Sequence, residues 1–170
     1  MDRTLDQARI RPFTPADAES IARHMNDRAI WRNLRDRVPH PYTADHAREF
    51  IAAVARGDLI AFAIEVDGAA AGSIGGRIGE DVRRRSFECG FWLGTAHHGR
   101  GIVSAVLPVF VEWVFAHLDV CRIEAQVFGW NVASIRVLVK SGFEHEGTLR
   151  SAVTKDGATT DLSSWAIVRE

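Results

Sequence analysis

Phe91-Trp92-Leu93-Gly94-Thr95-Ala96-His97-His98-Gly99-Arg100-Gly101-Ile102-Val103 is the stretch that decides the fold. It begins at the end of an alternating run from Arg83 to Leu93. There Phe87, Cys89, Phe91 and Leu93 share one face and Ser86, Glu88, Gly90 and Trp92 the other, the period of a strand. It ends in an apolar helix carrying Val103, Val106, Leu107, Phe110, Val114 and Leu118. Between strand and helix lie the glycines. At a helix start the first amides have no intrahelical acceptor, and the helix dipole favours an anion. Gly99 and Gly101 let the backbone come close to such a ligand, and His98 or Arg100 can add positive charge. No Gly-Lys-Ser/Thr closes the loop, so it is not a P-loop; nor does it carry the three glycines of a dinucleotide-binding unit. A glycine-rich turn that merely opens a helix is the plain alternative.

Working upstream, Ala8 to Phe13 reads as a first short strand, and Thr14-Pro15 opens a helix through Ile21 and Met25. Residues 26 to 45 form a mixed stretch of broken helix and loop. Thr43 caps a helix carrying Ala47, Phe50, Ile51 and Val54, which stops at Gly57. Leu59 to Val66 and Ala69 to Ile78 are strands joined by an Asp67-Gly68 turn. Downstream come a strand from Arg122 to Phe128, a helix from Asn131 to Ser141 and a strand from Phe143 to Arg150. A turn at Lys155-Asp156-Gly157 precedes the last strand, Thr160 to Val168. This order predicts a mixed α/β fold in a single domain over residues 1–170. Its sheet is expected to be twisted and mostly antiparallel, with about six to seven strands flanked by about four helices.

Composition narrows the classes. With 46% hydrophobic and 25% charged residues the chain is neither disordered nor collagen-like. A formal net charge of −1 gives no case for nucleic acid or an anionic membrane as partner. Two cysteines, Cys89 and Cys121, are too few for a disulfide framework or zinc cluster, and His97-His98 has no third ligand at metal spacing, so no metal is expected. Cys89 shares the apolar face and reads as a buried thiol. Neither a signal peptide nor a spanning segment is visible, which predicts a cytoplasmic protein.

A second informative stretch is Trp130-Asn131-Val132-Ala133-Ser134-Ile135-Arg136-Val137-Leu138-Val139-Lys140-Ser141-Gly142-Phe143. The two segments, at this spacing and in this strand–helix order, resemble the GNAT acyl-CoA-dependent N-acetyltransferases. The loop is similar to the family's Q/R-x-x-G-x-G/A pattern, with His98 at the first place, Gly101 at the fourth and Val103 at the last. Asn131, Ser134, Gly142 and Phe143 resemble the family's N-x-x-S helix and following G-F. Phe91-Trp92-Leu93, the chain length, and the Lys155-Asp156-Gly157 hairpin with Asp161 look like the RimJ/RimL-like subgroup, which acetylates ribosomal-protein N-termini.

The resemblance implies transfer of an acetyl group from acetyl-CoA straight to a primary amine, with no protein nucleophile and no metal. It places the pyrophosphate on the backbone amides of His98, Gly99, Arg100, Gly101, Ile102 and Val103, and the pantetheine arm on backbone groups of Trp92 and Leu93. Asn131 hydrogen-bonds that arm or caps its helix, two roles that are compatible. Ser134 protonates the leaving sulfur or is a plain helix serine. Glu88 is the general base, directly or through water, or a solvated strand carboxylate. The acceptor is a protein N-terminus or a small amine such as an amino acid, polyamine or antibiotic, and the chain is a monomer or homodimer. A CoA-binding module without catalysis and a nucleotide-phosphate binder are the rival classes.

Overall fold

The alternating runs join into one sheet. In the computed structural model, which describes residues 1–169, the strands are β1 (Arg3–Thr4), β2 (Arg9–Arg11), β3 (Ile60–Val66), β4 (Ala69–Ile78), β5 (Ser86–Leu93), β6 (Arg122–Phe128), β7 (Glu144–Lys155) and β8 (Ala158–Val168). Their order across the sheet is β1-β2-β3-β4-β5-β6-β8-β7. The helices are α1 (Ala18–Met25), α2 (Arg28–Trp31), α3 (Ala44–Arg56), α4 (Ile102–His117) and α5 (Val132–Lys140).

Local chemistry sets these boundaries. The Thr43 hydroxyl accepts from the His46 amide at 3.3 Å and starts α3, which Gly57 ends in the left-handed conformation. Asp67 and Gly68 both take positive φ, as the two-residue hairpin between β3 and β4 requires. Among the described residues the sheet has eight strands and there are five α-helices, more than the sequence pattern predicts. The additions are the two-residue β1 and the single turn α2, both too short to show a period. β7 also runs on to Lys155 rather than stopping at Arg150, because register shifts after His145 and Leu149 interrupt its alternation.

Helices cover both faces. On one, Phe87, Cys89 and Leu93 of β5 pack with Val106, Leu107, Phe110 and Val114 of α4 and with Leu138 of α5. Phe110 lies between Phe62 and Phe87, with ring centroids 6.3 and 5.9 Å away. Each such side chain contributes about 1.5–3 kcal/mol through burial. On the other face, Ala63 and Ala70 meet Ile21, Met25, Ala47 and Ile51 of α1 and α3. No helix among the described residues is long and apolar enough to cross a membrane.

One strand pair departs from the antiparallel rule. β5 and β6, linked by α4, are parallel and pair only at Ser86–Arg122, Phe87–Ile123 and Glu88–Glu124. Beyond Glu88, β5 follows β4 as far as Leu93 opposite Gly72. β6 follows β8 as far as Phe128 opposite Leu162. The two strands therefore part, and the sheet opens between them.

Candidate active site

The opening leaves backbone groups without strand partners, and the ladder phase says which ones. Gly94 donates to the Ala71 carbonyl at 2.7 Å and Gly79 to the Ser86 carbonyl at 2.8 Å. Residues 87, 89, 91 and 93 of β5 are therefore non-hydrogen-bonded opposites of β4, and their N–H and C=O groups point toward the β6 side. Phe91 and Leu93 direct theirs into the opening. The expectation for Trp92 is corrected here: it faces Ser73 in a hydrogen-bonded pair, so its backbone is committed to β4. Leu93 keeps its N–H, while its carbonyl meets His98 Nε2 at 2.8 Å.

The same contact defines the loop. The His98 amide donates to the Thr95 carbonyl at 3.1 Å, and the ring of this exposed residue reaches back to the Leu93 carbonyl, so His98 ties the loop to β5 and does not offer its amide outward. Gly99 and Gly101 both have φ of +75°, with nothing within 4 Å of where a Cβ would stand. Ala105 makes the first helical bond, to the Gly101 carbonyl at 3.0 Å, so the amides of Ile102, Val103 and Ser104 have no intrahelical acceptor. Ile102 is buried and Val103 half-buried against the core, which turns both side chains away from that amide cluster. Arg100 lies exposed at the loop's rim, its Nη1 3.2 Å from His97 Nδ1.

A cleft of about 590 Å³ continues from the opening across the α1–α3 face, lined by Glu88, Gly90, Trp92, Gln126, Asn131 and Ser134 among others. That is room for a cofactor arm together with part of a second substrate. Asn131 caps α5, its Oδ1 accepting from the Ser134 amide at 3.2 Å, which leaves its Nδ2 to donate elsewhere. Ser134 is half-buried in the cleft wall rather than a solvent-facing helix serine. Glu88 stands on the cleft face, opposite Arg77 on β4, and accepts a hydrogen bond from Arg35. Burial, and then the neighbouring Glu88 charge, push the Cys89 thiol up to about 12, so it stays protonated and is no nucleophile.

Three cleft residues, Arg35, Asp36 and Lys155, have no site role in the sequence reading, where Lys155 appears only as part of the Lys155-Asp156-Gly157 turn. Residues 32–43 fold over the cleft: Arg35 donates to Glu88, while Lys155 Nζ donates to Asp36 Oδ1 at 2.8 Å and lies 3.8 Å from the Trp31 ring centroid. The nearest signal is the Arg35-Asp36-Arg37 charge cluster inside an otherwise irregular stretch. Among the described residues, no group of three His, Cys, Asp or Glu is placed to hold a metal ion.

Residues 7–144 match the acetyltransferase (GNAT) domain family. The chain belongs to the GNAT acetyltransferase family. The Probable N-acetyltransferase YjcK of Bacillus subtilis (strain 168) is 39% identical over 79 residues, covering 46% of this chain and 44% of that protein. The chain spans about half the length of the first curated relatives it matches. Among solved structures, the ribosomal-protein-S5-alanine acetyltransferase from Vibrio fischeri superposes with a TM-score of 0.87 at 18% identity, over 100% of this chain and 97% of that one. RimL, the ribosomal L7/L12 alpha-N-protein acetyltransferase in complex with coenzyme A, superposes with a TM-score of 0.84 at 18% identity, over 98% and 97%. At those identities the structural likeness establishes the fold.

A GNAT domain's coenzyme A fits what this chain presents. The outward groups of Phe91 and Leu93, the unpartnered first-turn amides of α4 and the open space at Gly99 and Gly101 all lie along the end of β5 and the loop after it. A diphosphate and an amide-bearing arm need donors of those kinds.

Proposed function

We propose that this GNAT domain, one domain across residues 1–170, transfers an acetyl group from acetyl-CoA to a primary amine. We further propose that the preferred acceptor is the α-amine of a peptide or protein N-terminus. The observation that carries the reading is the parting of β5 and β6, with the free amides of α4 at its end and Glu88 on its floor. Gly99, Arg100, Gly101, Ile102 and Val103 hold the diphosphate, chiefly through backbone amides. Phe91, Leu93 and the Asn131 Nδ2 hold the pantetheine arm.

Acetyl-CoA supplies an activated thioester carbonyl. Glu88 removes a proton from the acceptor ammonium, directly or through water. The nitrogen lone pair then forms the C–N bond, the C–S bond breaks, and Ser134 passes its hydroxyl proton to the sulfur. The amine loses its second proton as the amide forms, which restores the serine. An α-amine with pKa near 8 is roughly one-fifth neutral at pH 7.4, against about one part in a thousand for a lysine amine. A cleft with one carboxylate on its floor suits the less demanding acceptor. Two structural neighbours named for ribosomal-protein acetylation support the same choice.

The test is a panel of peptides, amino acids, polyamines and aminoglycosides with acetyl-CoA, followed by free-thiol release. Turnover highest with peptides bearing a free N-terminus supports the reading. Turnover confined to small amines overturns the acceptor assignment, and CoA binding without thiol release for any amine overturns catalysis.

A further inference from the structure

Six charged side chains line the cleft: Arg35, Asp36, Arg37, Arg77, Glu88 and Lys155. Two pairs are satisfied internally, Lys155 with Asp36 and Arg35 with Glu88. Arg37 and Arg77 are left, and among the described residues neither has a carboxylate within ion-pair distance. The excess is local, because the whole chain carries a net charge of −1.

These two arginines sit beside the proposed base. Arg77 is the cross-strand partner of Glu88, so the two side chains stand on the same face of the sheet. Arg37 approaches from residues 32–43, between α2 and α3. Desolvation, and then the charges of Arg77 and Arg35, hold the Arg37 guanidinium below its ordinary range, with Glu88 acting in the opposite sense. Two like charges near each other at a partly desolvated rim repel, and an anion between them relieves that repulsion while accepting from both guanidinium forks.

We propose that Arg37 and Arg77 form an acceptor subsite that takes the side-chain carboxylate of an aspartate or glutamate next to the peptide's terminal amine. The inference deepens the proposed acetyl transfer and rests on it. Cross-strand neighbours have Cβ atoms about 5 Å apart, and the arginine stem carries its charge several ångströms farther. With the amine at Glu88, the second residue's side chain can set its carboxylate against the two guanidinium groups, and free glutamate tests whether an amino acid's own carboxylates serve as well.

The experiment compares peptides that begin Ala-Glu, Ala-Gln and Ala-Lys and are otherwise identical, together with free glutamate, by kcat/KM for thiol release. The Ala-Glu peptide is expected to exceed Ala-Gln by about tenfold or more, the worth of one hydrogen bond to a charged group, with Ala-Lys lowest. Arg37→Gln/Arg77→Gln brings the Glu-to-Gln ratio close to one, and Arg77→Glu reverses the order in favour of Ala-Lys. Equal values for the Glu and Gln peptides in the unaltered protein overturn the subsite while leaving acetyl transfer intact. Free glutamate outperforming the Ala-Glu peptide also overturns it. If no amine releases thiol, the transfer reading falls. The subsite is then judged by tryptophan-fluorescence titration with the same peptides, where equal affinities for the Glu and Gln peptides overturn it.

Discussion

Arg35 is bound to Glu88 across the mouth of the cleft, although 53 residues separate them in sequence. Arg35 belongs to a segment held down at several points, by Asp36 to Lys155 and by Asn33, whose Oδ1 accepts from Trp130 Nε1 at 3.1 Å. Glu88 thus meets a cation before any acceptor arrives, and an acceptor ammonium must take the place of the guanidinium. Arg35→Ala is expected to lower the acceptor KM severalfold for a neutral peptide and leave coenzyme A affinity alone. Both side chains are substantially exposed, so stability should change by less than about 1 kcal/mol. Steady-state kinetics with each substrate varied in turn checks this. An unchanged acceptor KM would mean that the pair does not compete with the substrate.

The start of α4 gives a second prediction. Gly101 stands at φ +75°, where any residue with a Cβ is strained by about 1–2 kcal/mol. Gly101→Ala should lower stability by that amount yet keep the thermal shift that coenzyme A induces. Gly101→Asp adds a carboxylate beside the free amides of Ile102 to Ser104 and should abolish the shift. Thermal unfolding of both variants with and without coenzyme A decides it, and a shift retained by the aspartate variant means the diphosphate binds elsewhere.

Much of this was legible from the residues. The strands β3, β4 and β6, the caps at Thr43 and Gly57 and the glycine loop before α4 are local signals, and each falls within a residue of where the pattern puts it; β5 keeps its alternation but starts at Ser86 rather than Arg83, because Asp81–Arg83 form a short 3-10 turn. The bulges of β7 hid its last residues because an unpaired residue shifts which side chains face the core. The cleft was harder to read. Phe91 and Leu93 differ from Trp92 in hydrogen-bonding role only through the phase of the β4–β5 ladder, which residue identity does not encode. Arg35 and Asp36 find their partners, Glu88 and Lys155, across more than fifty residues of sequence from an irregular segment where no period announces a partner.

Cysteine chemistry offers a third check. With its thiol at about 12, Cys89 exposes about one thiolate in tens of thousands at pH 7.4, and its side chain is buried. Cys121 is half-buried and near the surface. Iodoacetamide should therefore label Cys121 alone in the native protein and both residues in urea. Peptide mapping by mass spectrometry reads this out, and native labelling of Cys89 would show that the core between β5 and α4 opens in the native protein.

Asp17 ties the first strands together and makes stability depend on pH. Only 6% exposed, it accepts from Arg11 Nη1 and Nη2 at 2.8 Å each and from the Thr14 amide at 2.7 Å. Arg11 in turn donates to Glu65 on β3. Burial alone would raise the Asp17 carboxyl, but the hydrogen bonds from Arg11 and Thr14 outweigh it and hold the group below the ordinary aspartate range. A carboxyl lowered on folding stabilises the folded state fully above its unfolded value, about 3.9. That contribution is lost as pH falls through the lower folded value. Asp17→Asn should therefore cost about 3 kcal/mol at neutral pH, since it leaves Arg11 with one fewer carboxylate in a mostly buried site. The difference from the unaltered protein should hold steady from pH 7 down to about 5 and shrink below about 4. Urea unfolding across that range measures it, and a gap that widens on acidification would show that Asp17 is not the group linking the fold to protons.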